Sequence, residues 1–397
     1  MRIPFHPALA VIDAKNKKMK HLVITLCLLS FFMLDTWMLQ AQGLVPVSEA
    51  EYAEIPEWGA NELLKQDVWY GFAANSARRD SILKGALPEV YSLRSYCPLT
   101  VMQGDAYVSV GWATSYFQLS TQVNALQGRT DELEKQLTAF DPLYLQATKR
   151  TDANWCEQGL TITDAYRLMK RNGNKPLMMG PWYHCGEERD PVLEETEYFR
   201  SFAIAEWRKV DFIGKGMNAL KQALVAGNPI TCGIPLSPAI IDGSALRDGV
   251  FQFSSSDLAL GHHAICIIGY NDTLADGCFE VAMNYGLHFG DSGFGYIRYS
   301  DFARIVREAY VIELNQQDWP TPENEQTILK APISSDENRI YAGWELFKST
   351  ARDYVLGGPN LVMIQIDLNN MLFNGLINDN SAYVEFAEII DQYLFCK

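Results

Sequence analysis

The chain has 397 residues, 48% of them hydrophobic and 20% charged, so it can bury a large core and allows one large domain plus an accessory segment. A formal charge of -15 and a pI near 4.9 argue against nucleic acid as a partner and weakly favour basic ligands. There is no internal repeat and no low-complexity tract.

The chain opens with a basic region, Lys15, Lys17, Lys18, Lys20 and His21, ahead of an apolar core over 22–34, and Leu39-Gln40-Ala41-Gln42 follows. This reads as a secretory signal peptide spanning 1–42, with Ala41 at the cleavage position and Met19 as the biological start. The competing reading is an uncleaved membrane anchor over 22–40; Asp35 and the modest apolar length count against it. Export implies a periplasmic, outer-membrane-associated or extracellular location and permits disulfides. Beyond the signal stand Cys97, Cys156, Cys185, Cys232, Cys266, Cys278 and Cys396, an odd number, so at least one is free or pairs between chains. His184-Cys185 and His262-His263 lack metal-site spacing, and no metal or cofactor is expected. Residues 43–86 form an N-terminal segment without a long charged helix.

Trp112, Ala113, Tyr116, Phe117 and Ser120 recur at helical spacing, which puts Ser109 at a helix N-terminus, where serine also serves as a simple cap. The segment from Cys156 to Ala165 reads as a turn into a further helix capped by Thr163 or Asp164. Residues 217–230 form an amphipathic helix stopped by Gly227 and Pro229. The apolar run 264–268, ended by Gly269, is a buried strand that carries His263 at its start. Periodicity thus gives helices before Gly227 and strands after it. Residues 315–336 are rich in proline and polar residues and read as a linker. Residues 337–397 form an accessory region, helical over 340–354, strand-like over 361–368 and helical again over 381–395. Its apolar faces suggest an ordered appendage packed on the main domain or on a partner.

Three motifs carry a family resemblance. Gln103 precedes Ser109 by six positions, Val110-Gly111-Trp112-Ala113 follows, and Leu87-Pro88-Glu89-Val90-Tyr91-Ser92-Leu93-Arg94 leads in. Gly261-His262-His263-Ala264 and Gly269-Tyr270 form the second motif, and Phe279 to Phe294 the third. Together they resemble the papain family (C1) of cysteine peptidases, bacterial type, over about 87–314, with Ser109 in place of the catalytic cysteine. The resemblance implies an α+β, papain-like fold: a helical left half, a β-barrel-like right half, and a cleft between them; the C-terminal region, which lies outside the resemblance, adds a small α/β appendage. It also implies roles: Gln103 as oxyanion donor, His263 as catalytic histidine, and an asparagine orienting the imidazole. That asparagine is Asn284 if one residue is shifted; without a gap, Met283 occupies its position.

A cysteine at a helix start beside an imidazolium has its pKa lowered from roughly 8.5 into about the 3.5 to 7.5 range, whereas a serine hydroxyl stays protonated and needs a general base. The resemblance therefore implies an exported pseudopeptidase that binds or scaffolds a polypeptide. One alternative is an active hydrolase using Ser109 and His263; the other is a purely structural cell-envelope protein acting through its C-terminal region.

Overall fold

In the computed structural model the described residues are 43–59, 86–149, 154–177 and 199–314, less 101–102, 104–105, 132–134, 136–137, 242, 254–259 and 287–288. The signal segment, the linker and the accessory region lie outside them.

The first half is organised around one buried helical rod. Helix α2 (Ser109–Gly111) continues through a π-helical stretch (Trp112–Leu119) into α3 (Ser120–Gln127), which ends at Gly128 in the left-handed conformation, φ 69°. Residues 109–125 are buried on every side, as befits the central helix of a large domain. One of its polar side chains ties it to the sheet: Gln118 Nε2 donates to the Tyr310 carbonyl on the last strand and to the Pro229 carbonyl just before the strand that starts at Ile230, each at 2.9 Å. Around the rod pack α4 (Tyr144–Lys149) and α5 (Ile162–Asn172). The cap of α5 is Thr161, whose Oγ1 accepts from Asp164 N–H at 2.9 Å. This corrects the expectation of Thr163 or Asp164. Thr163 Oγ1 instead donates to Glu51, and Asp164 pairs with Lys149 and Arg167.

The second half is a nine-stranded sheet: β1 (Val90–Ser92), β2 (Ile204–Lys209), β3 (Ile230–Leu236), β4 (Leu246–Arg247), β5 (Val250–Phe251), β6 (Gly261–Asn271), β7 (Cys278–Ala282), β8 (Phe294–Arg298) and β9 (Ala309–Leu314). The order is β2-β9-β3-β6-β7-β8-β5-β4, with β1 also paired to β6. Two strands, β1 and β2, precede Gly227, so the division between helices and strands is less sharp than periodicity suggests. Helix α6 (Met217–Val225) ends just before Gly227, whose φ is 89°.

Strand β6 is the seam of the molecule. Side chains alternate across a strand, and here Ala264, Cys266 and Ile268 join the core under the helices, whereas Ile265 and Ile267 join the core inside the sheet. One strand thus packs on both halves, and the residues at its start lie where they meet. Among the described cysteines, Cys97, Cys232, Cys266 and Cys278 are buried thiols outside any disulfide, and Cys156 is disulfide-bonded. Cys97 lies in the core beneath the helices.

Candidate active site

Ser109 is the first residue of α2, preceded by Val108, and is fully buried. Gly111 fixes its height: a Cβ on Gly111 would lie 1.8 Å from the Pro142 carbonyl oxygen, so only glycine lets the rod settle against the 142 turn. Ser109 Oγ accepts from the Ala264 backbone N–H at 3.3 Å, which joins the helix start to β6 one residue past His263.

His263 is also fully buried. Its Nε2 lies 2.7 Å from Asn284 Oδ1, and Asn284 Nδ2 donates to Gln103 Oε1. The Gln103 backbone N–H donates to the Asn284 carbonyl at 2.9 Å, and Gln103 Nε2 donates to the Ala106 carbonyl at 2.8 Å. The structure therefore brings Gln103, His263 and Asn284 into one hydrogen-bonded chain with Ser109 alongside. It places Asn284 on the imidazole and Met283 elsewhere: Met283 follows β7 and points into the core inside the sheet. Alternation along the extended chain sends adjacent side chains to opposite faces, so the ungapped register could not put Met283 at this position.

Tyr285 caps the imidazole, its ring stacked on His263 with centroids 5.2 Å apart and planes 13° from parallel. Phe289 packs against Tyr285 in turn at 5.0 Å. These two aromatic rings screen the His263–Asn284 bond from water. Burial lowers the His263 pKa to about 4, against which the Asn284 bond acts in the raising direction. The other ring nitrogen, Nδ1, is buried and makes no hydrogen bond.

The loop bearing Asn284 is tied to the segment that leads to Gln103. Arg94 donates to the Asp291 carboxylate at 2.6 Å and to its carbonyl at 2.9 Å, and its guanidinium lies 4.2 Å from the Phe294 ring centroid. Thr100 Oγ1 donates to the Ser292 carbonyl at 2.8 Å, and a Cβ on Gly293 would collide with Thr100. Ser92 Oγ donates to Glu280, a carboxylate from β7.

A strand of the chain's own N-terminal segment lies across this site. Gly43 forms an antiparallel bridge with His263, and Leu44 a parallel bridge with Leu160. Leu160 N–H donates to the Gly43 carbonyl and Val45 N–H to the Leu160 carbonyl, both at 2.8 Å. Both glycines at the crossing allow close backbone approach: a Cβ on Gly43 would meet the Tyr107 carbonyl carbon at 2.4 Å, and one on Gly159 the Gly43 oxygen at 2.5 Å. The strap runs on into α1 (Glu49–Glu54), capped by Ser48, where Glu51 pairs with Arg167 and Lys209 donates to the Tyr52 and Ala53 carbonyls. Sequence reading did not find this strap. Its only signal was a glycine followed by apolar residues ahead of the Ser48 cap.

No protein-family model and no curated protein matches the chain in sequence. Solved structures do match in shape. Xylellain, a cysteine protease from Xylella fastidiosa, aligns over 70% of this chain and 97% of its own at 16% identity, with a TM-score of 0.51. Procathepsin B S9 from Trypanosoma congolense aligns over 70% of this chain and 89% of its own at 15% identity and a TM-score of 0.48. With helices on one side, a mostly antiparallel sheet on the other and the site where they meet, this chain carries the papain-like α+β peptidase fold.

Proposed function

We propose that the chain is an exported pseudopeptidase, a papain-fold protein that holds a polypeptide between its two halves without cutting it. The observation that carries this reading is that a peptide strand already lies there, Gly43 to Val45, paired through its backbone to His263 and Leu160 on a site with a hydroxyl where a thiol would stand. Backbone pairing of this kind holds an extended peptide independently of any nucleophile. In the proposed site Asn284 orients His263, and Gln103 retains one amide proton beyond its bond to Ala106.

Two features weigh against a serine hydrolase. A serine nucleophile needs an adjacent base to take its proton, and the free nitrogen of His263 makes no hydrogen bond while Ser109 Oγ accepts one from the backbone. An imidazole with a pKa near 4 is also a weak base at neutral pH. Localisation outside the cytoplasm follows from the signal-like N-terminus, and an envelope partner held by residues 337–397 is part of the same proposal. Peptide-library cleavage by wild type, Ser109→Cys and Ser109→Ala tests the reading. It expects an inert wild type and an active Ser109→Cys. Cleavage by wild type that Ser109→Ala abolishes would overturn it.

A further inference from the structure

The strap is a permanent part of the fold, because the residues behind it are built into both cores. Ile55 packs under the helices and Trp58 inside the sheet. Val47 N–H donates to the Glu308 carboxylate, which also accepts from Tyr310 O–H at 2.8 Å and whose pKa burial pushes up to about 7. Tyr52 meets Tyr310 edge-on, with ring centroids 5.5 Å apart. Trp58 N–H donates to the Lys209 carbonyl at 2.8 Å and Lys209 N–H to the Pro56 carbonyl at 3.0 Å, which joins this segment to the edge strand β2. A segment tied down in this way keeps the residues ahead of it at the cleft at high local concentration.

Gly43 is the point at which the strap enters the site. It is bridged to His263 on one side and packed on the other against the backbone immediately ahead of Ser109, where a Cβ would lie 2.4 Å from the Tyr107 carbonyl carbon and 2.8 Å from the Val108 nitrogen. Its φ of 70° is left-handed, so both space and backbone call for glycine. The compact unit that carries the site starts one residue earlier, at Gln42, which is also the residue after the predicted cleavage position Ala41. His263 presents an unanswered acceptor here. Asn284 Nδ2 donates to Gln103, so Oδ1 is the atom that faces Nε2; Nε2 carries the ring proton, and the buried Nδ1 keeps its lone pair.

We infer that the polypeptide held at this site is the chain's own mature N-terminus, the α-amino group of Gln42 donating to His263 Nδ1; the inference rests on the pseudopeptidase reading and on cleavage after Ala41. Hydrolysis of the Ala41–Gln42 amide leaves a carboxylate on Ala41 and the amine on Gln42, so export creates the group that fills the site. Covalent geometry permits the contact. The amino nitrogen of residue 42 is about 5 Å from the Gly43 Cα, and paired Cα atoms across an antiparallel bridge are about 4.5 to 5.5 Å apart. The rod that starts at Ser109 puts the positive end of its dipole here, which disfavours a charged ammonium. An uncharged amine donates without that penalty, and an α-amino group ordinarily titrates at about 7.7 to 8.0, close enough to neutrality to supply one.

The exported full-length protein is first read by mass spectrometry. The expectation is a chain that begins at Gln42 with a free amine. A different first residue, or a Gln42 cyclised to pyroglutamate with loss of ammonia, removes the donor and overturns the inference without touching the parent reading. The protein is then acylated with an N-hydroxysuccinimide ester, and the α-amino group should react about tenfold more slowly in the folded chain than in urea, relative to the surface lysines. His263→Phe, which keeps a ring against Tyr285 but no acceptor, and Gly43→Ala, which forces the strap off the Tyr107 backbone, should each restore the rate. Lys175, fully buried against Asp141, should stay unlabelled in the same samples; if His263→Phe exposes it, Gly43→Ala decides by the same criterion. Equal reactivity in folded and unfolded wild type, or protection that survives the deciding variant, overturns the inference. A second arm separates it from the parent reading. In Ser109→Cys protein, Gly43→Ala should raise kcat/KM on a fluorogenic peptide about tenfold, because the resident terminus no longer competes. No rise overturns the inference and leaves the pseudopeptidase standing, whereas wild-type cleavage that Ser109→Ala abolishes overturns the parent reading.

Discussion

On the helix side of the cleft Ser109 is held by packing, whereas on the sheet side His263 is held by hydrogen bonds. The helix wall depends on close backbone approach at Gly111 and on a rod buried all round. The sheet wall depends on Gln103, Asn284 and the Tyr285 ring, each fixed by a specific polar or aromatic contact. Packing responds to volume and hydrogen bonding to chemistry, so the two walls should fail in different ways. Exchanging oxygen for sulfur at residue 109 alters the chemistry of one atom on the wall that is sensitive to volume.

The largest expected effect joins the walls again. In Ser109→Cys protein, peptide cleavage should rise from nothing measurable, and adding His263→Ala should lower it by about 10²- to 10⁴-fold, read as kcat/KM on a fluorogenic peptide. Asn284→Ala should break the sheet wall alone. It leaves His263 Nε2 buried without a partner, at about 2 kcal/mol in urea unfolding, and should reduce Ser109→Cys cleavage. Met283→Leu, one residue away, should cost under about 1.5 kcal/mol and leave cleavage unchanged. Gly111→Ala should break the helix wall, lowering stability by about 2 kcal/mol through overpacking against Pro142.

The smallest effects are in pH, and they carry opposite signs. His263 has a folded pKa lowered to about 4, so stability is fully present above its ordinary 6.5 and is lost as pH falls from there toward 4. Glu308 has a folded pKa raised from 4.5 to about 7, so its contribution is fully present below 4.5 and is lost as pH rises through 7. Each has a limiting slope of roughly 1.4 kcal/mol per pH unit. Denaturant titrations from pH 4 to 8 should show Glu308→Gln flattening the neutral-side decline and His263→Ala the acid-side one. Identical profiles for the two variants would contradict the assigned causes.

The fold was legible because its motifs sit where local chemistry is constrained. Gln103 to Ala113 spans a helix start, and residues 261–269 form a strand too apolar to be anything but buried. The register at Asn284 was not legible by counting. Whether residue 283 or 284 faces the imidazole is settled by which way the chain leaves β7, a matter of alternation and turn geometry that flanking identities do not report. The cap at Thr161 was missed for a related reason: Thr161, Thr163 and Asp164 are all cap-forming residues, and only the extended backbone at Thr161, with ψ 153°, chooses among them. The strap escaped because pairing with His263 and Leu160 is a long-range contact, and Gly43-Leu44-Val45 contains nothing that names its partner.

The close approach of Gly111 to Pro142 also has a genetic meaning. Four of the six serine codons differ from a cysteine codon by a single base, so exchanging the hydroxyl at 109 for a thiol needs change at one codon only. The surrounding frame offers no such easy path, since any side chain at 111 displaces the rod that holds residue 109 in place. If the pseudopeptidase proposal holds, a lineage carrying this chain moves between an armed and a disarmed state at one codon, provided the glycine two residues further on stays as it is.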